Sequence, residues 1–376
     1  MPVIRTRRIL EMYLNALARL TLFRFRPKIV AITGSVGKTT TITVINGLLT
    51  DLSESKTIDS FRTNASNNMN GTVGVFLTVL GSNRFVGPNL SGLRELVRLT
   101  VTTLYQVFKP HSTYPGLLLL ECGISGKGEM RRMATAIKPN VVIVTTVGHA
   151  HLEKGMATVR DIAKEKSELV LACKCEGLVI LGADNEWTRG MAELTKATVH
   201  LVEGRGVAFG VSVAKLVAGW LGIAESTILT LLHRPATAPH RLERIEGNGF
   251  LVIDDTFNAN PLSMKLALDT LQAERCTGRK VAVLGQMKEL GSSSQQLHKE
   301  IADYSRTKAD IVLGVGEEFG RLYDPDGFYK DSAECALNIG RWVGKGDCVL
   351  VKGSHSVGML RVVEALTEGG ERNGGS

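Results

Sequence analysis

The sequence predicts two α/β domains in tandem, each a mainly parallel sheet with helices on its faces, and three observations carry that prediction. Residues 31–40 read AITGSVGKTT, a glycine-rich turn directly after the apolar run 29–32. Short, fully apolar runs at 117–120, 141–144 and 178–181 each close on polar residues and are separated by helical periodicity, the pattern of strands buried on both faces. After the Pro-rich stretch 233–240, similar runs recur at 250–253, 280–284, 311–313 and 348–351.

Taken in order, residues 1–28 carry Arg5, Arg7, Arg8, Arg19, Arg24, Arg26 and Lys28 against Glu11 alone, and supply most of the net charge of +8. Their apolar residues recur at roughly helical spacing. Two readings fit: a helix docked on the protein body with solvated arginines, or a basic amphipathic helix on an anionic membrane surface at the inner face of the membrane. The glycine turn then leads into a helix. Residues 63–71, rich in asparagine, are too full of turn formers to lie inside an element. Helical patterns follow at 73–80, 91–108 and 158–174. The boundaries expected are a basic helix over 1–28, a phosphate-loop central domain over 29–236, a Rossmann-like α/β domain over 237–366 and an unstructured Gly-rich tail over 367–376.

Composition narrows the class. An apolar fraction of 44% with 5% aromatics suits an α/β enzyme. The six cysteines form no C-x-x-C pair and no framework spacing, so free thiols in a reducing, cytoplasmic compartment are expected. No run reaches the about 18 apolar residues that a membrane span needs, and no signal peptide is apparent. The basic residues are not interleaved with stacking aromatics, so nucleic acid is not an expected partner.

The chemistry gathers at strand ends. A strand running into a glycine turn and then a helix aims several backbone N–H groups at one point, where a phosphate can sit. Gly34, Ser35, Val36, Gly37, Lys38, Thr39 and Thr40 form that loop in the short form G-x-x-G-K-T-T; Lys38 would neutralise phosphate charge and the Thr39 hydroxyl would hold Mg²⁺. Glu121 closes an apolar strand, where its carboxylate faces the loop and suits a hard cation that takes oxygen ligands. His151 ends the segment 145–151 past another strand. Residues 161–168 read as a solvated, charged helix face. Residues 254–261, DDTFNANP, read either as a capped turn or as a ligand contact at a strand's carboxyl end.

Together these segments resemble the Mur ligases, most closely the branch that adds D-alanyl-D-alanine to a cell-wall peptide precursor. The resemblance runs from about residue 29 to 366. It rests on TGSVGKTT at 33–40, ECGISGKGE at 121–129, VTTVGHAHL at 144–152, IAKEKSE at 162–168, DDTFNANPLS at 254–263, VLGQMKELG at 283–291 and LVKGS at 350–354. It implies an ATP-dependent ligase that activates a carboxylate as an acyl-phosphate for attack by an amine, acting on small-molecule or peptide substrates. Lys38, Glu121, His151 and Lys166 would be its catalytic groups, and Thr39, Glu121, His151 and Lys166 would hold two Mg²⁺. Lys166, on the face read above as solvated, would be carbamylated. Arg241 would reach the nucleotide phosphates, and Asp255, Asn258 and Asn260 would contact the nucleotide.

The chain also departs from the family pattern. The basic helix stands where the family carries the domain that grips the nucleotide-sugar part of the substrate, so a separate substrate-binding protein becomes a candidate partner. The acceptor-side stretch reads NGTVGVF at 70–76, and the adenine-contacting segment reads GRGVAFG at 204–210, without its asparagines. Two rival readings therefore stand: a ligase for another acceptor, such as a polyglutamate or a lipid-linked peptide, and a nucleotide-binding scaffold without ligase activity.

Overall fold

The computed structural model describes residues 2–65, 69–84, 86, 89–111, 113–149, 155–232, 238–247, 249–320 and 327–368. The described residues up to 148 and 155–232 form one compact unit, and those from 238 onward form a second.

The first unit opens with helix α1 (Pro2–Phe25), strand β1 (Lys28–Thr33) and helix α2 (Lys38–Glu54). It continues through β2 (Phe61–Thr63), α3 (Thr72–Val79), α4 (Leu90–Phe108), β3 (Leu117–Glu121), α5 (Glu129–Ile137) and β4 (Val141–Val144). Then come α6 (Val159–Leu171), β5 (Leu178–Gly182), α7 (Glu186–Arg189), β6 (Thr198–Val202), α8 (Gly206–Trp220) and α9 (Glu225–Leu231). Six strands pair in parallel in the order β2-β3-β1-β4-β5-β6. β3 and β4, both later in sequence than β1, flank it on opposite sides. That makes the carboxyl end of β1 the point where the strand order reverses, the place such sheets bind ligands.

Branched and leucine side chains fill both faces. Ile32, Ile143 and Ile180 pack with Ile45, Leu49 and Val213 of α2 and α8 in one continuous core. α1 is part of this unit: it packs on α3, α4 and α5 and buries Leu14, Leu17 and Ala18. α1 therefore docks on the body, as the first of the two readings expected, while Ile9, Met12 and Phe23 stay exposed on its outward side. No described helix is long and apolar enough to cross a membrane.

The second unit runs β7 (Glu243–Gly247), β8 (Phe250–Asp255), α10 (Pro261–Ala273), β9 (Lys280–Gly285), α11 (Ser294–Arg306) and β10 (Ile311–Val315). It ends with α12 (Glu317–Gly320), β11 (Phe328–Tyr329), α13 (Ser332–Asn338), β12 (Cys348–Lys352) and α14 (Leu360–Glu368). Its sheet has the order β11-β10-β9-β12-β8-β7, parallel except for β7 against β8. Sequence reading began this domain's strands at 250. β7 escaped it because ERIEG is a polar edge strand without an apolar run. α14 continues through Thr367 and Glu368, the first two residues of the stretch expected to be unstructured; the rest of that stretch lies outside the described residues.

Candidate active site

The turn after β1 is built around one carbonyl. Gly34 has φ 151°, and a β-carbon there would lie 1.9 Å from Thr145 Oγ1, so only glycine fits. The Thr145 hydroxyl, at the carboxyl end of β4, donates to Val36 O at 2.6 Å. Ser35 is pinned across the same gap: its N–H donates to Thr146 O at 2.7 Å, and its Oγ lies 3.1 Å from Gly148 O and 3.0 Å from Gly148 N. Gly37 sits in the left-handed region, φ 85°, and starts α2 with no side-chain cap, which leaves first-turn N–H groups of that helix for a phosphate.

Two lysines converge on the Gly34 carbonyl. Lys38 Nζ donates to it at 2.8 Å and Lys166 Nζ at 3.0 Å. Lys166 is 1% exposed. Burial first, and then the charge of Lys38, pushes its proton affinity well below that of an ordinary lysine, against the opposing pull of Glu121 and Glu165. The expectation of a solvated face for 161–168 is thus corrected at Glu165, Lys166 and Ser167, all buried on α6. The charged pattern misled because Glu165 is spent internally, accepting from Gly128 N at 2.9 Å and Met130 N at 2.8 Å at the start of α5.

Glu121 is 4% exposed at the end of β3. Its Oε2 accepts from Thr39 Oγ1 at 3.0 Å and its Oε1 from Asn70 Nδ2 at 3.0 Å. Asn64 clamps its main chain, accepting from Glu121 N at 2.7 Å and donating to Glu121 O at 2.9 Å. Sequence reading missed both asparagine roles: Asn64 lay in the Asn-rich stretch taken as a turn, and Asn70 was placed only in that turn and in the acceptor-side stretch. Thr39 and Glu121 offer a hydroxyl and a carboxylate beside each other, an all-oxygen pair that fits Mg²⁺. His151 lies outside the described residues. Val36 and Thr40 are half-buried in the loop.

In the second unit, Asp254, Asp255 and Lys352 end adjacent strands. Lys352 Nζ donates to Asp255 Oδ2 at 2.6 Å and to Asn258 O at 2.8 Å, which ties the segment after β8 to β12. His240 Nδ1 meets buried Asp254 Oδ2 at 2.6 Å. The Arg241 guanidinium stacks 4.0 Å over the Phe257 ring. Asn258 Oδ1 accepts from Ala259 N, while Asn260 caps α10, its Oδ1 accepting from Ser263 N at 3.0 Å. The capped-turn reading of 254–261 therefore holds: Asn260 is a helix cap, and the rest forms a braced turn at a strand end.

A model of the Mur ligase middle domain matches residues 92–208, and one of the Mur ligase glutamate ligase domain matches residues 240–355. Together they cover more than half of the chain. The chain belongs to the Mur ligase family. It is 24% identical to the UDP-N-acetylmuramoyl-tripeptide–D-alanyl-D-alanine ligase of Bacillus subtilis (strain 168), over 94% of this chain and 79% of that protein. Against the ligase of the same description from Escherichia coli (strain K12) it is 25% identical, over 91% and 77%. Among solved structures, MurF from Acinetobacter baumannii superposes with TM-score 0.76 at 21% identity, covering 95% of this chain and 80% of that one. MurF ligase from Thermotoga maritima in complex with ADP gives 0.74 at 23%, covering 95% and 83%. These likenesses establish a Mur ligase fold.

Proposed function

We propose that this Mur ligase is an ATP-dependent, ADP-forming amide ligase that adds D-alanyl-D-alanine to the peptide of a cell-wall precursor. The observation that carries the reading is the convergence of Lys38 and buried Lys166 on the Gly34 carbonyl, in the unit whose Glu121 carboxylate bonds the Thr39 hydroxyl. The curated relatives, matched over nearly the whole chain, are named for that reaction.

In this reading a carboxylate oxygen of the acceptor attacks the γ-phosphorus, the bond to the ADP oxygen breaks, and an acyl-phosphate forms. The amine then attacks the carbonyl carbon, loses a proton and expels phosphate. Lys38 and the loop amides stabilise charge on the transferring group by position and electrostatics. Thr39 and Glu121 would hold Mg²⁺, which when bound supplies positive charge beside the phosphates.

Lys166 enters as its carbamate. A neutral amine adds to CO₂ with loss of a proton, and burial lowers the proton affinity of this one. The carbamate would offer oxygen ligands to a second Mg²⁺, with His151 as a further candidate ligand. We place the enzyme in the cytoplasm at the inner face of a membrane, with residues 1–28 touching lipid.

The test is ADP release by the purified chain with MgATP, D-alanyl-D-alanine and a panel of acceptors: nucleotide-linked and lipid-linked cell-wall peptides, and polyglutamates. Release that needs both a cell-wall peptide and D-alanyl-D-alanine is expected. ATP binding with no release for any pair would leave a nucleotide-binding scaffold, and release with polyglutamate alone would move the chain to another branch of the family.

A further inference from the structure

Helix α4 turns an apolar side outward. Leu90, Leu93, Val97, Val101, Leu104 and Phe108 are between 41% and 77% exposed. At about 100° per residue they fall in one stripe about 80° wide. The opposite side, with Gly92, Leu99 and Thr103, is buried. Monomeric proteins rarely leave so continuous an apolar surface without a use for it.

α1 lies alongside. Tyr13 Oη and Thr100 Oγ1 are 2.7 Å apart, and Arg24 Nε donates to Val107 O at 3.2 Å. Like α4, α1 leaves apolar residues out: Ile9, Met12 and Phe23 are 65%, 66% and 74% exposed. Arg8, Arg19 and Arg24 of α1 and Arg94 and Arg98 of α4 are exposed too. The two helices hold one acid each, and both are engaged: Arg132 Nε donates to Glu11 at 2.5 Å, and Arg98 binds Glu95 through two nitrogens at 2.8 and 2.6 Å. The face is therefore apolar and cationic, without an unpaired acid from either helix.

We infer that the α1–α4 face is a docking surface for an anionic lipid bilayer, with the α4 stripe in the interfacial layer and the arginines among the headgroup phosphates. The inference rests on the peripheral location proposed above and moves the centre of contact from residues 1–28 to α4. Charge complementarity selects lipid over a second copy of the chain. A two-fold contact through this face would set arginines against arginines, with both acids already engaged, whereas phosphate headgroups neutralise them.

The experiment is co-sedimentation of the full chain with vesicles of phosphatidylglycerol and phosphatidylcholine, or of phosphatidylcholine alone, with hydrogen–deuterium exchange of the bound state. Binding to the anionic vesicles only is expected, with new protection over 90–108. The double variant Val97→Asp/Val101→Asp, and separately Leu104→Gln/Phe108→Ser, should weaken binding at least about tenfold, in keeping with lost interfacial area. Exchange on the unmodified chain keeps the test decisive if a variant misfolds. Binding with protection confined to 2–25 and unchanged affinity in the variants overturns the α4 assignment but leaves the location. No binding by the unmodified chain overturns both. Concentration-dependent dimerisation that protects 90–108 without lipid assigns the face to a second copy and overturns the inference. None of these outcomes depends on ligase activity.

Discussion

Lys166 Nζ lies 3.0 Å from the carbonyl oxygen of Gly34, 132 residues away in the chain. The contact joins the buried side of α6 to the glycine turn after β1, and it places an amine of lowered proton affinity where the proposed function puts the triphosphate. If the proposed carbamate forms there, ligation should depend on bicarbonate. Depleting dissolved CO₂ should slow amine-dependent ADP release, and adding bicarbonate should restore it. Lys166→Ala should lose at least about a thousandfold in rate, with partial rescue by acetate or formate as substitute oxygen ligands. Lys166→Met should keep its melting temperature within about 3 °C of the unmodified chain, because it replaces a buried amine of lowered proton affinity by an apolar side chain of similar length. A bicarbonate-insensitive enzyme, with Lys166→Ala still active, would remove the carbamate from the mechanism.

The Glu121 carboxylate is shared between Thr39 and Asn70, and its charge can be separated from its hydrogen bonds. Glu121→Gln keeps the size and the capacity to bond both neighbours while deleting the charge that a divalent cation needs. The Mg²⁺ concentration for half-maximal ADP release should rise about tenfold or more, with little change in melting temperature. Asn70→Ala removes one hydrogen bond, about 1 kcal/mol, and should shift the Mg²⁺ requirement less than about fivefold. A magnesium titration in which Glu121→Gln matches the unmodified chain would show that the carboxylate is structural only.

Local pattern carried the strands, the phosphate loop and Glu121 because each is written in adjacent residues: an apolar run, a glycine turn, an acid at a strand's end. The eight apolar runs all became strands. What escaped depends on contacts distant in sequence. Glu165 and Lys166 read as solvated because nothing in 161–168 announces that Gly128 N, Met130 N and Gly34 O will meet them. Only the resemblance to the Mur ligases singled out Lys166. Asn64 and Asn70 sat in a stretch whose composition says turn, and their hold on Glu121 needs β2 beside β3. The apolar stripe of α4 has the spacing of any amphipathic helix, so period alone gave no sign that this side faces outward.

His298 braces the segment after β9. Its Nε2 accepts from Met287 N at 2.9 Å and its Nδ1–H donates to Ser294 O at 2.8 Å, so the ring is neutral. Burial holds its proton affinity below the ordinary histidine value. The unfolded chain then binds the proton more readily than the folded one. Stability is fully present above about pH 6.5 and is lost as pH falls toward the lowered native value, by up to about 1.4 kcal/mol per pH unit. Thermal melts between pH 7 and pH 5 should show this loss. His298→Gln, which keeps an acceptor for Met287 N without a titrating ring, should melt with a flatter pH dependence. Parallel curves for the two proteins would show that the ring does not titrate in this window.

Lys352 and Asp255 sit side by side in the parallel register of β12 and β8, and the lysine is 1% exposed. The 2.6 Å ion pair and the 2.8 Å bond to Asn258 O mean that one side chain fixes both a strand end and the turn that follows it. Breaking a buried pair from one side strands the other charge, which costs about 3–5 kcal/mol. Lys352→Met should therefore lower the stability of the second unit by that amount. Asp255→Asn in the same chain should recover part of the loss, because the stranded carboxylate is gone. The coupling energy from the four-protein cycle should exceed about 1.5 kcal/mol, as expected for contacting charges. If the turn at 256–260 contacts nucleotide, Lys352→Met should also raise the KM for ATP in the fraction that stays folded, and Asp255→Asn alone should raise it less, since Asn258 O keeps its lysine. Strict additivity in the cycle would show that the two side chains are neighbours without a shared energy, and the turn would then need another brace.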